Sequence, residues 1–409
     1  MSEPFFQSMF AERIGGANYG KGTGIYKFEK IKRAKRQALE THPDRYLLDF
    51  GIGENDVPAA PVVCATMAAE IAKPENRGYA DNGIPEFRGA VARFMKRQFR
   101  VELDPATEIC HGIGSKPILS MIPAAFINPG DVTLMTVPGY PVAGTHTKYY
   151  GGTVHPLPLR PENDFYPDLD GIPEDVCHRA KLLVLNYPNS PTGKMATVDF
   201  FRKVVDFALK HRIVVVHDAA HIMMSYKSEP LSFLQIDGAR DVGVEVHSLS
   251  KGWNMIGWRL GWICGNATIV HAFADIKDNS DSGQFKAIQR AGIAALDDAS
   301  IPAATCHRYR RRLEKLVATL RRCGFRCEMP EGSYFLYVPA PGKMNGRTFS
   351  TAEEVSQYLI RDHSICTVPW DDAGAFLRFS VTYVAESEED EDRLMAETER
   401  RLRELELEF

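Results

Sequence analysis

The feature that most constrains the fold is an alternation of short apolar runs with amphipathic segments through the middle of the chain. Residues 181–187 (KLLVLNY) and 213–217 (IVVVH) are typical of buried strands, and residues 199–212 between them have apolar side chains at helical spacing. Two more strand-like runs follow at 242–247 and 259–264. Strands that alternate with helices predict an α/β fold, with a mostly parallel central sheet flanked by helices on both faces.

Both ends of the chain have a different pattern. A glycine-rich segment and a basic helix at 27–40 come first, and from about residue 302 a helix rich in Arg and Leu leads to short strands and a closing charged helix. We therefore predict a large domain over residues 51–300 and a small α+β domain over 301–409. The N-terminal segment, residues 1–50, is expected to pack on the small domain.

Charge and cysteine content exclude several classes of protein. The 49 basic and 53 acidic side chains give a net charge of −4, whereas nucleic-acid-binding domains are usually basic. No apolar run reaches the ~18 residues of a membrane span, and the first residues do not resemble a secretory signal. Eight cysteines in 409 residues are too sparse for a disulfide scaffold and lack zinc-site spacing. We expect a cytoplasmic protein with free thiols and no metal.

The segment GGANYGKG, residues 15–22, is close to a phosphate-binding P-loop but lacks two of its parts. Gly22 stands where a Ser or Thr would hold magnesium, and no apolar strand precedes the segment. No G-x-G-x-x-G follows a predicted strand, so a dinucleotide site is also not expected. We interpret the segment as a surface loop.

The strongest chemical signal is HSLSKGWNMIGWRLG, residues 247–261. It places Lys251 after a predicted strand, with Arg259 eight residues later. Such a lysine can bond to an aldehyde if its site favours the neutral amine, and an arginine fork with the Ser248 and Ser250 hydroxyls suits a phosphate. An aldehyde and a phosphate together indicate pyridoxal 5′-phosphate. The alternative is an ordinary exposed lysine in a loop.

Three other segments support this interpretation. Asp218 ends an apolar strand, where a carboxylate is costly unless it is paired, and a protonated pyridine nitrogen would pair with it. Ser115 and Lys116 begin a predicted helix, whose free N–H groups can bind a phosphate. Arg378 is a single cation in the apolar strand LRFSVTY and needs an anion, which is either a structural salt-bridge partner or the carboxylate of a substrate.

In order and spacing, these segments resemble the class I and II aminotransferases of pyridoxal phosphate fold type I. The motifs are GSK (114–116), PGYP (138–141), NYPNSPTG (186–193), HDAAH (217–221), SLSK (248–251) and LRFS (377–380). Within that family, RGYADNGIPEFR and TVPWDDAGAFLRFSV look most like LL-diaminopimelate aminotransferases. The resemblance covers almost the whole chain. It implies fold type I, pyridoxal phosphate as cofactor and amino transfer from a free α-amino acid.

The resemblance also implies a role for each matching position. Lys251 is expected to form the Schiff base and carry the proton, Asp218 to pair with the pyridine nitrogen, and Tyr140 to stack on the ring. The residues expected to hold the phosphate are Ser115, Lys116, Ser248, Ser250, Arg259 and, from the neighbouring subunit of a homodimer, Tyr79. The residues expected at the substrate end are Arg378, which takes the α-carboxylate, and Tyr26, Gly53, Asn279 and Ser282.

Two positions depart from the family pattern, and both are expected to contact the 3′-oxygen of the cofactor. Ser190 replaces an asparagine, with Asn189 beside it as a substitute donor, and His221 replaces a tyrosine. The departures leave open an enzyme of elimination, replacement or C–C bond formation, for instance on an S-adenosylmethionine-like amino acid. His221 would then move protons, or else only donate a hydrogen bond. A non-catalytic binding module is disfavoured, because Lys251, Asp218 and Arg378 are all present.

Overall fold

The structure, a computed structural model, describes residues 5–21 and 27–409. The strands of this part are β1 (Leu48–Asp49), β2 (Ile109–Gly112), β3 (Val132–Val137), β4 (Thr153–Pro158), β5 (Ala180–Asn186), β6 (Val214–Asp218), β7 (Gly243–Ser248), β8 (Gly261–Gly265), β9 (Phe335–Pro339), β10 (Lys343–Met344), β11 (Arg347–Thr348), β12 (Ile365–Cys366), β13 (Val368–Trp370), β14 (Phe376–Ser380) and β15 (Leu407–Glu408). The α-helices are α1 (Lys27–Thr41), α2 (Pro61–Glu70), α3 (Pro85–Phe99), α4 (Ser115–Phe126), α5 (Val142–Tyr149), α6 (Glu174–Arg179), α7 (Val198–His211), α8 (Ala239–Val242), α9 (Leu249–Gly252), α10 (Ala267–Asp278), α11 (Lys286–Asp297), α12 (Ser300–Arg322), α13 (Ala352–His363) and α14 (Glu388–Arg403).

A seven-stranded sheet lies at the centre, in the order β2-β8-β7-β6-β5-β3-β4. Its neighbouring strands are parallel except that β8 runs antiparallel to both β2 and β7. The prediction of a mostly parallel α/β sheet is therefore confirmed. Strands β5, β6 and β7 run side by side in one direction, so the residues that follow them meet at one edge of the sheet.

Both faces of this sheet are buried, which explains why its strands are continuous apolar runs. In β5, Leu183 and Leu185 pack on the face covered by α7, whereas Leu182 and Val184 pack on the face covered by α4 and α10. This alternation is the period of two of a pleated strand. Each face thus has its own apolar core, and the sheet is held as a rigid platform.

A second core is formed by the C-terminal part of the chain. Helix α12 packs against the antiparallel sheet β13-β14-β9, with Tyr309, Leu313 and Leu377 among the buried residues. The N-terminal segment adds to this part, because β1 pairs in parallel with β12, and Ile31 of α1 packs against Ile360 of α13. Where the domains divide, near residues 50 and 300, stays a prediction.

The described part of the glycine-rich segment, up to Lys21, contains a 3-10 turn at Gly16–Asn18, and another 3-10 turn precedes the segment at Glu12–Ile14. Lys251 lies within a helical turn, α9, which begins directly after β7. Over residues 5–21 and 27–409, we find no helix with both the length and the apolar character needed to cross a bilayer.

Candidate active site

The site begins where strands β5, β6 and β7 end. Strand β6 ends at Asp218, which pairs in register with Asn186 at the end of β5. Strand β7 ends at Ser248, whose hydroxyl accepts the backbone N–H of Ser250 at 3.1 Å and so caps the single turn that carries Lys251. Local capping and strand register therefore place the predicted lysine and aspartate at the same sheet edge.

The Lys251 amine is held by a backbone carbonyl far away in the sequence. Its Nζ donates to the carbonyl oxygen of Gly53 at 2.9 Å, and the Tyr334 hydroxyl donates to the same oxygen at 2.9 Å. Burial is the main reason that the pKa of Lys251 falls to about 8. The amine is therefore much easier to deprotonate than an ordinary lysine, as bonding to an aldehyde requires.

Asp218 is a buried carboxylate. One oxygen accepts the N–H of Ala220 at 3.1 Å, and no Lys, Arg or His of the described chain forms an ion pair with it. Burial raises the pKa of Asp218 to about 6, against the hydrogen bond from Ala220, which lowers it. A protonated ring nitrogen placed beside it would supply the missing cationic partner.

Arg259 lies against the start of helix α4. Its Nη1 donates to the carbonyl of Ile256 at 2.9 Å and to the Ser250 hydroxyl at 3.4 Å. A Cβ on Gly114, the residue before α4, would lie 2.6 Å from the guanidinium, so only glycine permits this approach. Arginine and the free N–H groups of a twelve-residue helix together form a site for an anion such as phosphate.

Arg378 is buried, and none of the ion pairs among residues 5–21 and 27–409 includes it. Its Nη2 donates to the carbonyl of Gly51 at 3.1 Å, its guanidinium lies 4.1 Å from the centre of the Phe335 ring, and its Nε has no partner. Burial lowers the pKa of Arg378 to about 10, so the group is still cationic at neutral pH. The predicted structural salt bridge is not found, and a carboxylate ligand fits.

The two departures from the family pattern lie close to this cluster. The His221 ring packs on Tyr334, and its Nδ1 is 3.2 Å from the Ser333 hydroxyl. Burial lowers the pKa of His221 to about 3, so the imidazole is neutral at neutral pH. The Ser190 N–H donates to Asn186 Oδ1 at 2.8 Å. Buried Asn189 accepts from Thr192, while its Nδ2 has no partner and is available to a ligand.

The remaining predicted residues lie toward the surface. Tyr79, Lys116, Asn279 and Ser282 are exposed, as is much of Tyr140. The Ala80 N–H, beside Tyr79, donates to the carbonyl of Ser282 at 3.4 Å, so these two loops are neighbours. Within the described chain, no hydrogen bond joins Tyr79, Asn279 or Ser282 to Lys251. Tyr26 lies outside the described residues.

Sequence reasoning missed several residues that surround the amine. Tyr334 and Ser333 pack on His221, and the Asn55 side chain donates to the carbonyl of Lys251 at 2.7 Å. The polar run Glu54–Asp56 directly after an apolar stretch was an available signal, because polar side chains after a buried segment often line a site. Tyr334 had no such signal, since an aromatic residue before a strand is usually part of the core.

The residues present fit pyridoxal phosphate. Lys251 offers an amine of lowered pKa, and it lies close enough to the unpaired buried Asp218 carboxylate for each charge to influence the pKa of the other. Asn189 adds an unpartnered Nδ2. Arg259 and the start of α4 form an anion site, and Arg378 lies near Gly53, whose carbonyl accepts from the Lys251 amine. The aldehyde, the ring nitrogen and the phosphate of the cofactor thus each have a complementary group.

Comparison with known proteins gives the family. Residues 45–396 match the family described as aminotransferase class I and II. The chain is 53% identical to the LL-diaminopimelate aminotransferase of Methanocaldococcus jannaschii and 50% identical to that of Methanococcus maripaludis, each over all of both chains.

Solved structures with a similar fold agree with this family assignment. The substrate-bound BacF structure from Bacillus subtilis superposes with a TM-score of 0.86 at 28% identity over 98% of both chains. A probable N-succinyldiaminopimelate aminotransferase from Thermus thermophilus has a TM-score of 0.83 at 27% identity, over 93% of this chain and 100% of the other. With its fold type I architecture and these full-length relatives, this chain belongs to the class I and II aminotransferases and carries out amino transfer with pyridoxal phosphate.

Proposed function

We propose that the amino donor or product of this enzyme is LL-diaminopimelate. The observation that carries the proposal is the placement of Lys251 and Arg378 around one backbone segment, with the amine on the carbonyl of Gly53 and the guanidinium on that of Gly51. A free α-amino acid carries its amine and its carboxylate on one carbon, so a single ligand of this class would present a group to each of these two side chains. The full-length relatives of 50% identity and above are named LL-diaminopimelate aminotransferases, which supports this substrate.

When bound, pyridoxal phosphate supplies an aldehyde that takes the amino group and a ring that absorbs the electron pair released at the α-carbon. Asp218 would hold the ring nitrogen in its protonated form. Arg259, the Ser248 and Ser250 hydroxyls and the start of α4 at Ser115 would hold the phosphate. Tyr140 would cover the face of the ring, and Lys116 would add positive charge near the phosphate.

Lys251 has the second task of moving a proton. With its lowered pKa, the Lys251 amine would move the proton between the α-carbon of the substrate and C4′ of the cofactor. Arg378 would fix the α-carboxylate through two parallel hydrogen bonds, so that the α-hydrogen faces Lys251. Gly53, Tyr26, Asn279 and Ser282 would surround the rest of the substrate.

His221 and Ser190 are proposed to serve this same reaction. A neutral imidazole at His221 can donate a hydrogen bond to the 3′-oxygen, as the family tyrosine does, and the unpartnered Nδ2 of Asn189 supports a second donor beside Ser190. The relatives do not favour the alternative of elimination or C–C bond formation. The expectation that His221 turns cationic near neutrality has no support, because burial disfavours its charged form.

We also propose a cytoplasmic homodimer with shared sites. Tyr79 is 81% exposed, on a loop next to Ser282, and Gln284 of the same loop region donates to the carbonyls of Trp258 and Arg259. These contacts support a position of the Tyr79 loop near the phosphate end, where a second subunit could receive it. All eight cysteines are free, as in a reducing compartment.

The test of the substrate is a half-reaction with one amino acid at a time. Purified holoenzyme is mixed with LL-diaminopimelate, and the visible absorption of the cofactor and the oxo acid product are followed by spectroscopy and mass spectrometry. We expect stoichiometric loss of the original cofactor band with LL-diaminopimelate and little change with aspartate or alanine. A rapid reaction with aspartate and none with LL-diaminopimelate would refute this substrate and leave amino transfer intact.

A further inference from the structure

A cluster of charged residues lies buried behind Asp218, on the opposite face of strand β6. His217 and Glu245 face each other in register on β6 and β7, and both are fully buried. His247, two residues along β7, is also buried and stacks on Trp262. Burying ionisable groups in a sheet core is costly unless their charges and hydrogen bonds are matched.

The hydrogen bonds of His217 indicate its protonation. Its Nδ1 lies 2.8 Å from a carboxylate oxygen of Glu245, and its Nε2 lies 2.8 Å from the backbone carbonyl oxygen of Tyr187. Both of these oxygens accept hydrogen bonds and neither can donate one, since the carbonyl has no proton and Glu245 is ionised. An imidazole between two acceptors needs a proton on each nitrogen, which makes it a cation.

Glu245 is ionised because its carboxylate is surrounded by donors. Its two oxygens accept from His217 and the Phe233 N–H on one side, and from the Ser232 hydroxyl at 2.8 Å and His247 at 2.6 Å on the other. Burial opposes ionisation, but the neighbouring histidines hold the pKa of Glu245 well below its ordinary value. The carboxylate therefore balances the His217 cation without any contact with solvent.

This arrangement joins the three strand ends that carry the site. His217 directly precedes Asp218 on β6, and Tyr187 directly precedes the turn with Asn189 and Ser190. Glu245 lies three residues before Ser248, the cap of the turn that carries Lys251. We propose that His217, held as an imidazolium by Glu245, is a positioning residue that locks these strand ends together and keeps the Asp218 carboxylate ionised.

The effect on Asp218 has a simple electrostatic origin. Asp218 is buried, and the charge of His217 is among the influences that lower its pKa against the stronger effect of burial. With a pKa of about 6, the carboxylate is ionised at neutral pH by only a small margin. Loss of the adjacent cation would protonate it more often and weaken its hold on a ring nitrogen. This step rests on the role of Asp218 in the proposed function.

The direct test is the protonation of His217 in the wild-type holoenzyme. The protein is labelled with nitrogen-15 at histidine, and the His217 signals are assigned by their absence in His217→Gln. We expect both ring nitrogens to carry protons at pH 7.5, and one of them to lose its proton in Glu245→Gln. A single protonated nitrogen in the wild type would overturn the proposal, whatever the activity of the enzyme.

The link to Asp218 is tested by a double-mutant cycle on cofactor affinity of the apoenzyme. His217→Gln should weaken pyridoxal phosphate binding about tenfold at pH 7, because a rise of about two units in the pKa of Asp218, from about 6, would leave roughly a tenth of its carboxylate ionised. The same change should have less than about a twofold effect on an Asp218→Asn background. If His217→Gln weakened binding just as much on the Asp218→Asn background, the proposed link between His217 and Asp218 would be overturned. Thr133→Val, which removes a buried hydrogen bond between β3 of the same sheet and Thr147 of α5, is the control for stability alone and should leave affinity unchanged.

An error in the proposed role of Asp218 would show in a different measurement from an error in the proposed role of His217. If Asp218→Asn by itself leaves the affinity for pyridoxal phosphate unchanged, the assignment of Asp218 as the partner of the ring nitrogen is wrong. The doubly protonated His217 signal would still support the imidazolium lock between β5, β6 and β7. The two outcomes are therefore read from separate measurements.

Discussion

At the scale of single residues, burial decides the charge of every group around the Lys251 amine. It favours the neutral form of Lys251 and of His221, and it raises the proton affinity of Asp218. Arg378 keeps its charge because an arginine starts from a much higher pKa. These groups are therefore an easily deprotonated amine at Lys251, a neutral imidazole at His221 and a cation at Arg378. This combination suits an amino acid better than an uncharged molecule.

The lowered pKa of Lys251 gives a pH dependence for cofactor loading. Only the neutral amine attacks an aldehyde, so the rate at which apoenzyme takes up pyridoxal phosphate should rise with pH and level off above about 8. An ordinary exposed lysine would give a rise that continues toward ~10.4. Stopped-flow absorbance over a pH series measures the midpoint, and a midpoint near 10 would contradict the desolvated site. Lys251→Arg has no amine that can bond to the aldehyde, so it serves as the negative control.

Arg378 is predicted to bind the α-carboxylate. Charged hydrogen bonds contribute ~1.5–3 kcal/mol, so Arg378→Ala should weaken amino-acid binding roughly 10–100-fold. Cofactor content should stay nearly the same, because Arg378 contacts the Gly51 carbonyl and no group of the proposed cofactor site. Titration of the cofactor band with substrate gives both quantities. Arg361→Ala, an exposed arginine on α13, is the matched control. Equal loss of cofactor and substrate would mean that Arg378 is structural.

At the scale of elements, the segment after β1 is fastened to the C-terminal helices by buried charge. Asp56 accepts from Arg308, Arg312 and the Tyr309 hydroxyl of α12. Arg312 also bonds to Glu391 of α14 at 2.7 Å. Three residues before Asp56 is Gly53, whose carbonyl holds the Lys251 amine. The contact of the Lys251 amine with Gly53 is therefore linked to the packing of α12 and α14.

Arg312→Ala should destabilise the protein strongly. The side chain is fully buried, and its loss removes one ion-pair partner from each of two buried carboxylates, Asp56 and Glu391. Breaking such a buried pair typically costs ~3–5 kcal/mol. Urea unfolding monitored by circular dichroism measures the change in unfolding free energy. Arg310→Ala on the same helix, which removes only an exposed pair with Glu314, should cost less than ~0.5 kcal/mol. Equal losses of unfolding free energy in Arg312→Ala and Arg310→Ala would contradict the stabilising role of the buried ion pairs.

At the scale of the whole molecule, the proposed homodimer has a complementation test. Tyr79→Phe and Lys251→Ala subunits should each form inactive homodimers, whereas a mixed dimer would contain one site with both residues intact. Random mixing would restore about a quarter of the wild-type activity. The measurement is activity after dissociation and reassociation of the two variants, with each variant treated alone as control. An active monomer in sedimentation would refute shared sites.

The order of strands and helices could be predicted from the sequence because it depends on local patterns. The apolar runs that become β5, β6 and β7 read as strands of a sheet covered on both faces, and the boundaries of α7 and α12 agree within two residues with the periodicity. Lys251 and Asp218 were identifiable for the same reason, since each follows a strand in a short motif. In the folded sheet, the ends of these adjacent parallel strands lie next to each other.

The groups that complete the site are contributed by contacts between distant parts of the chain. The Gly53 carbonyl accepts from the Lys251 amine across 198 residues and from the Tyr334 hydroxyl across 281 residues, and no local pattern encodes such contacts. The charges of these groups are not encoded locally either. Burial makes His221 neutral, and the fold brings Glu245 to His217, so both effects exist only after folding. The sequence by itself determined the elements and the reactive residues; the tertiary structure decided their neighbours and therefore their protonation.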